Sequence, residues 1–215
     1  MTSVAAVIPI KTNNVRFPGK NTKMLCGKPL YQHMFDTIKK CKNVNSIFVD
    51  SSDAAILEAA EKNGFKTILR PETLNTPDAT GNDLLTFELQ HIKADIIVQT
   101  FVTLPLLTSG TIDTAVQSLI AADADSVLAL HEIYDRFWYD NVPINHIPTI
   151  LQGTQFMKPV CCETGFYVFK RSMFELFKTR VSDNKINLIV DINECIDIDN
   201  ERDFLFAEAM LNKRP

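Results

Sequence analysis

The sequence predicts an α/β fold built on a mostly parallel sheet. Three observations carry this reading. Short apolar runs alternate with segments of helical period along nearly the whole chain. The first run, Val4 to Ile10, is apolar throughout, as a strand covered on both faces must be. Cap and turn residues stand at most junctions between the two patterns.

The elements follow in order. Val4 to Ile10 reads as a buried strand, ended by Pro9. Lys11 to Lys28 is a polar, basic loop. Pro29 suits the first position of a helix in which Leu30, Met34 and Ile38 recur at helical spacing through Lys40. Ile47 to Val49 is a second strand. Asp53 caps a helix carrying Ile56, Leu57 and Ala60, closed by Gly64, and Phe65 to Leu69 is a third strand. Leu84, Leu85, Leu89 and Ile92 mark a helix after the turn-rich Thr76 to Asn82. Ile96 to Phe101 is a strand. Thr108 or Ser109 caps a helix with Ile112, Val116, Leu119 and Ile120. Ser126 to Leu130, Phe166 to Phe169 and Leu188 to Ile192 are further strands. Asn200 opens a last helix carrying Phe204, Ala207 and Leu211. Only Tyr134 to Val160, rich in aromatics and prolines, shows no period. Strands and helices alternating in this way imply βαβ units, and ligands then bind at the carboxyl ends of the strands. That places the loops after Ile10, Phe101 and Leu130, and the turn after Val190, around the expected site.

Composition narrows the function. With 215 residues, 46% of them hydrophobic and 22% charged, the chain suits one domain with a substantial core. No stretch approaches the roughly 18 uncharged apolar residues of a membrane helix. Met1 to Ile10 carries no secretory leader pattern, so a cytoplasmic protein is expected. Five cysteines (Cys26, Cys41, Cys161, Cys162 and Cys195) form no CxxC pair, which argues against both a disulfide framework and a zinc site. The net charge of −4 is uneven. The first thirty-five residues hold Lys11, Arg16, Lys20, Lys23 and Lys28 and no carboxylate. A cationic patch on an acidic body suits a small polyanion such as a nucleoside triphosphate, and suits nucleic acid less, since that needs a broad basic face.

Five constellations carry chemistry. The first loop runs Pro9-Ile10-Lys11-Thr12-Asn13-Asn14-Val15-Arg16-Phe17-Pro18-Gly19-Lys20-Asn21. Gly19 permits close backbone approach and Lys20 supplies a point charge, but neither GxxxxGK[ST] nor GxGxxG is present. By chemistry alone the loop suits phosphate binding and plain solvation equally. With no nearby carboxylate to pair with it, the Lys20 charge is expected to be exposed and free for a ligand. The second constellation is Asp197-Ile198-Asp199-Asn200-Glu201-Arg202-Asp203-Phe204. In extended backbone Asp197 and Asp199 point the same way. Such a pair suits a helix N-terminus or, with all-oxygen ligation, Mg²⁺. The others are Gln99 to Leu106, Asp78 to Asp83 and Glu163 to Tyr167. The four histidines form no readable Ser-His-Asp pattern.

The first two segments resemble the acylneuraminate cytidylyltransferase family. Its opening signature is a strand, then Ile-Pro-Ala-Arg, Pro-Gly-Lys-Asn and a Gly-Lys-Pro-Leu segment. Here Pro18-Gly19-Lys20-Asn21 and Gly27-Lys28-Pro29-Leu30 stand at matching spacing, and Asp197 to Phe204 is similar to the family's metal motif residue for residue. Lys11 stands where the family has arginine, Leu107 replaces a usual arginine, Thr80 and Gly81 stand for serines, and Thr164 replaces an asparagine.

The resemblance implies a Rossmann-like, GT-A-like nucleotidyltransferase domain of three layers over residues 1–215. Residues 134–165 are expected to form an acceptor-binding and dimerisation segment. It implies transfer of CMP from CTP to a small acidic acceptor, with pyrophosphate released, by a homodimer. Lys20, Arg16 and Asp199 are then the expected catalytic residues. Pro9, Ile10, Lys11, Asn13, Asn21 and Thr80 join Arg16 and Lys20 around the nucleotide. Gln99, Thr103, Glu163, Thr164 and Tyr167 face the acceptor, and Asp197 and Asp199 hold Mg²⁺. A phosphonate or phosphorylated acceptor, and a non-catalytic nucleotide-binding homologue, remain the alternatives.

Overall fold

The computed structural model describes residues 2–11, 14–76 and 78–213. Seven strands form one sheet: β1 (Val4–Pro9), β2 (Ser46–Ser51), β3 (Lys66–Leu69), β4 (Ile96–Thr100), β5 (Ser126–Ile133), β6 (Val160–Lys170) and β7 (Lys185–Ile189). Their order across the sheet is β7-β5-β6-β4-β1-β2-β3. Every neighbouring pair is parallel except those made by β6, which runs antiparallel to both β4 and β5.

Alternation along the strands divides the core between two faces. Ala6, Ile8 and Val98 pack with helices α1 (Leu30–Ile38), α2 (Ala54–Lys62) and α4 (Ser109–Ala121) through Met34, Ile56 and Val116. Ala5, Val7 and Ile97 face the other way, onto α3 (Gly81–His91) and α5 (Arg171–Phe177) through Leu85, Leu89 and Phe174. The result is three layers. β1 is buried along its whole length, which explains its unbroken apolar run. A third, smaller cluster joins Leu25, Leu30 and Leu106 to Ile198, Phe204 and Ala207. It packs α6 (Glu201–Leu211) beside the first loop.

The expected caps hold where a side chain makes them. Asp53 accepts from the amides of Ala55 and Ile56, and Thr108 from Thr111. Asn200 and Asp203 form a reciprocal capping box on α6. Pro29 sits one residue outside α1 rather than in its first turn. Three expectations change. The strand read at Phe166 to Phe169 is the end of β6, eleven residues long. The one read at Leu188 to Ile192 is β7, shifted to Lys185–Ile189. α5 lies where no element was read. Between β5 and β6 there are only one two-residue hairpin, Trp138–Tyr139 with Val142–Pro143, and a single 3₁₀ turn. All five cysteines are free thiols, with Cys161 and Cys162 exposed at the start of β6.

Candidate active site

At the carboxyl ends of β1 and β4, a cavity of about 340 Å³ is lined by Pro9, Lys11, Asn14, Arg16, Lys20 and Asn21 from the first loop. Phe101 to Thr103 line it from the loop after β4, Gly165 and Tyr167 from β6, and Arg180, Asp197 and Asp199 complete it. The two ends of the sequence therefore meet in one site.

The first loop is held from within. Gly19 adopts φ +69, a conformation that a side chain would strain, and so turns the chain into the short 3₁₀ helix Lys20–Thr22. Asn21 is buried and donates to the Lys11 carbonyl at 2.6 Å, and Asn14 donates to the same oxygen at 3.0 Å. Asn13 lies outside the described residues. Ile10 is wholly buried, and its amide donates to Asp50 O at 2.8 Å, so it anchors the strand end rather than lining the cavity.

Lys20 corrects the sequence expectation. It is only 7% exposed, and its ammonium donates to Ile198 O at 2.5 Å and to Asp199 Oδ1 at 3.1 Å. The guanidinium of Arg16 also reaches Asp199 Oδ1, at 2.8 Å. The carboxylate that the first thirty-five residues lack is supplied from the other end of the chain. The join is braced by apolar contact: Phe17 meets Phe204 edge to face at 6.0 Å, and the Lys23 ammonium lies over both rings.

Asp197 lies deeper. The Ile198 amide donates to Thr103 O at 2.9 Å, fixing the Asp197–Asp199 segment against the loop after β4. Loss of solvation against the cavity walls raises the Asp197 pKa from the usual carboxylate value, and the Asp199 charge adds to this. A hydrogen bond from Thr103 and the charges of Lys20 and Arg16 oppose it. Gly165 leaves room for this carboxylate, since a Cβ there would lie 3.6 Å from Asp197 Oδ2 and 3.3 Å from Leu104. Two neighbouring carboxylates aimed into a cavity are a suitable oxygen donor set for Mg²⁺, which commonly takes one or two carboxylates and completes its shell with water and phosphate. Among the described residues no third acidic, histidine or cysteine side chain joins them.

The opposite wall belongs to β4 and β6. Gln99 and Tyr167 are register partners across the antiparallel pair, but of the expected acceptor contacts only Thr103 and Tyr167 line the cavity; Gln99 is buried and, like Glu163, is not among the lining residues. The Tyr167 hydroxyl donates to Glu163, and burial followed by that bond pushes its pKa up to about 12, so the phenol stays protonated. Pairing with β5 shifts between Glu163 and Tyr167, a bulge that re-aims side chains beside the site. Thr164 points to the other face, buried, with its hydroxyl 3.2 Å from Cys195 Sγ. Thr80 caps α3 in a capping box with Asp83 and is not among the residues lining the cavity.

Sequence reasoning missed Arg180. Its guanidinium stacks 3.8 Å from the centre of the Tyr167 ring and donates to Gln99 Oε1 at 2.7 Å. A lone arginine in a polar loop carries no local signal. Asp50 and Arg70, a fully buried ion pair at 2.7 Å behind the first loop, also escaped notice. Leu107, where the resemblance expects arginine, is a core residue.

Basic side chains gathered at the carboxyl ends of parallel strands, on a three-layer sheet with one reversed strand, define an α/β nucleotidyltransferase fold. The chain belongs to the cytidylyltransferase family, whose profile matches residues 5–195. It is 32% identical over 122 residues to the 3-deoxy-manno-octulosonate cytidylyltransferase 2 of Hydrogenovibrio crunogenus, covering 55% of this chain and 47% of that protein. It is 26% identical over 163 residues to the 3-deoxy-manno-octulosonate cytidylyltransferase of Chloroherpeton thalassium, covering 76% and 61%. The chain thus spans about half the length of most of these curated relatives. Their names carry a different sugar acid from the acylneuraminate of the sequence resemblance. Among solved structures, a CMP:2-keto-3-deoxy-manno-octonic acid synthetase complexed with CTP aligns with a TM-score of 0.74 at 16% identity, covering 99% of each chain. The 4-diphosphocytidyl-2C-methyl-D-erythritol synthase of Anaerococcus prevotii aligns with a TM-score of 0.71 at 13% identity, covering 99% and 97%. Both share the fold.

Proposed function

We propose that the protein transfers CMP from CTP to a sugar acid and releases pyrophosphate. The observation that carries this reading is the convergence of Arg16, Lys20, Asp197 and Asp199 in one cavity at the carboxyl ends of the strands. The 3-deoxy-manno-octulosonate cytidylyltransferases among its relatives support a sugar acid, and the loop motifs leave an acylneuraminate as a second candidate.

The chain's own groups act by positioning and charge, which is most of what phosphoryl-type transfer requires. Arg16 and Lys20 stand ready to neutralise charge developing on the departing pyrophosphate, with Lys11 beside them. Asp199 holds both cations in place before the nucleotide arrives. Asp197 and Asp199 would hold Mg²⁺, which when bound supplies Lewis-acid stabilisation of the phosphate oxygens. Thr103 and Tyr167 line the acceptor wall, with Gln99 and Glu163 behind it, hydrogen-bonded to Arg180 and Tyr167.

Between β5 and β6 large apolar side chains are exposed, Leu151 at 95%, with Tyr139, Phe156, Ile147, Ile150 and Trp138. An apolar surface of this extent supports a homodimer through residues 134–165. Light scattering should give twice the chain mass, and a monomer that keeps its fold and activity would remove this reading. Among the described residues no helix is long and apolar enough to cross a membrane, and a cytoplasmic site of action is part of the same reading.

Pyrophosphate release tests the whole. Each of CTP, UTP, ATP and GTP is offered with 3-deoxy-manno-octulosonate, N-acetylneuraminate and a phosphorylated sugar. Release with CTP and a sugar acid is expected. Release only with the phosphorylated acceptor would replace the acceptor class, equal rates with all four nucleotides would remove the CTP assignment, and no release would leave a nucleotide-binding homologue.

A further inference from the structure

Arg180 stands apart from the other cations of the cavity. Lys11, Arg16 and Lys20 come from the first loop, and the last two are already gathered on Asp199. Arg180 comes from the opposite wall, in the turn between α5 and β7. Among the described residues it forms no ion pair, whereas Arg70 is paired with Asp50 and Arg171 with Glu175. Its one hydrogen bond goes to the neutral amide of Gln99. Four of the five guanidinium N–H donors are left uncommitted by that bond. Among the described residues the nearby acidic groups make no ion pair with it. Glu88 is fully buried on α3, where burial and then Asp50 raise its pKa and Arg180 opposes them. Glu163 is engaged by the Tyr167 hydroxyl.

The guanidinium is also fixed in place. The Tyr167 ring lies under it at 3.8 Å, and that ring is pinned in turn by Glu163. The turn that carries it is tied on both sides: Thr179 exchanges hydrogen bonds with Val181, and the Ser182 amide donates to Ser126 Oγ at 3.0 Å. Arg180, Tyr167 and Asp197 all line the same cavity. A planar fork that is stacked in place, lines the cavity and makes no ion pair with the cavity's own Asp197 or Asp199 matches a carboxylate brought by a ligand.

We propose that Arg180 reads the carboxylate of the acceptor and so sets the enzyme's preference for an acid. This rests on the nucleotidyl-transfer reading and deepens it. A uronic or keto acid docks its carboxylate on the fork, beside Gln99 and over Tyr167. The neutral carboxamide of the same sugar, which cannot accept two charged bonds, is discriminated against.

The test compares 3-deoxy-manno-octulosonate with its carboxamide in wild type, Arg180→Gln and Arg180→Lys. CTP affinity is measured separately by calorimetry with CTP alone. Wild type should prefer the acid by about 30- to 100-fold in kcat/KM, the scale of one half-buried charge pair. Arg180→Gln should erase that preference by weakening only the acid, with CTP affinity unchanged within about twofold and the melting temperature kept. Arg180→Lys should recover part of it, keeping the charge but not the fork. Three results would overturn the inference: Arg180→Gln retaining the acid preference, Arg180→Gln weakening CTP in parallel, or wild type turning over acid and carboxamide alike. The last would leave nucleotidyl transfer standing. Wild type inactive with CTP and every acid would instead remove that reading, and this inference with it.

Discussion

The two walls of the cavity are built by different means. On the wall proposed for the phosphates, Arg16 and Lys20 from the first loop share one oxygen of Asp199 from the last, and Lys20 and Asp199 are 179 positions apart. On the wall proposed for the acceptor, Gln99 and Tyr167 are paired by strand register, and Arg180 is laid on top. The first wall is held by charge and the second by sheet geometry. A group that both neutralises a partner and serves a ligand cannot be removed without disturbing the fold, whereas a register-held group can be exchanged with little structural cost.

The comparison is broken most strongly at Asp199. Asp199→Asn keeps the shape but removes the charge on which both cations rest. Activity should fall by a hundredfold or more, on the order of 3 kcal/mol. The melting temperature should fall as well, because buried Lys20 loses its counter-charge. Kinetics at limiting Mg²⁺ and thermal melting check this, and normal turnover there would end the metal assignment.

Lys20→Ala tests the same wall from the other side. kcat/KM for CTP should fall by about two orders of magnitude, roughly 2.7 kcal/mol. The lysine is buried and bonded to Ile198 O and Asp199, so a stability loss of roughly 1–3 kcal/mol should accompany this. An exposed lysine would have cost far less. Lys20→Arg should recover part of the activity, since a planar fork does not fit where a compact ammonium sits. Denaturant melts that matched wild type would show that the Asp199 contact contributes nothing to the fold.

The smallest effect sharpens the contrast through pH. His33 on α1 is buried beneath the short hairpin of Met24–Leu25 with Lys28–Pro29, its Nε2 2.9 Å from Leu25 O. Burial, more than any other cause, lowers its pKa below the usual histidine value. A histidine depressed in the folded state binds its proton more readily when unfolded, so stability rises with pH across the window below about 6.5. The contribution is whole above that pH and is lost as pH falls below it. Melting temperature should therefore decline on acidification from pH 7.5 to 5.5, and His33→Gln should flatten part of that decline. Parallel slopes in the two proteins would place His33 outside the linkage.

The same division decides what the sequence could show. β1, α2, α4 and α6 are legible because their apolar period and their caps, Asp53, Thr108 and Asn200, are local. α5 is not: it is seven residues long, has no side-chain cap, and ends on Lys178 in the left-handed region where a glycine would have marked it. β7 shows Ile186 and Leu188 half-buried in alternation, but the denser Leu188-Ile189-Val190 run draws the eye past its end. The first loop and the last aspartates were readable as motifs. Their mutual neutralisation was not, because nothing in the first thirty-five residues announces a partner at Asp199. Thr164 and Thr80 were placed by motif position alone, and strand alternation and a capping box put them elsewhere.

CTP labelled at the α-phosphorus tests the central claim most directly. Incubated with the protein, Mg²⁺ and 3-deoxy-manno-octulosonate, the label should appear in a CMP–sugar acid conjugate, with one unlabelled pyrophosphate released for each conjugate formed. Label that stays in CTP with every acid offered, or that passes to free CMP at a rate indifferent to the acceptor, would contradict the account.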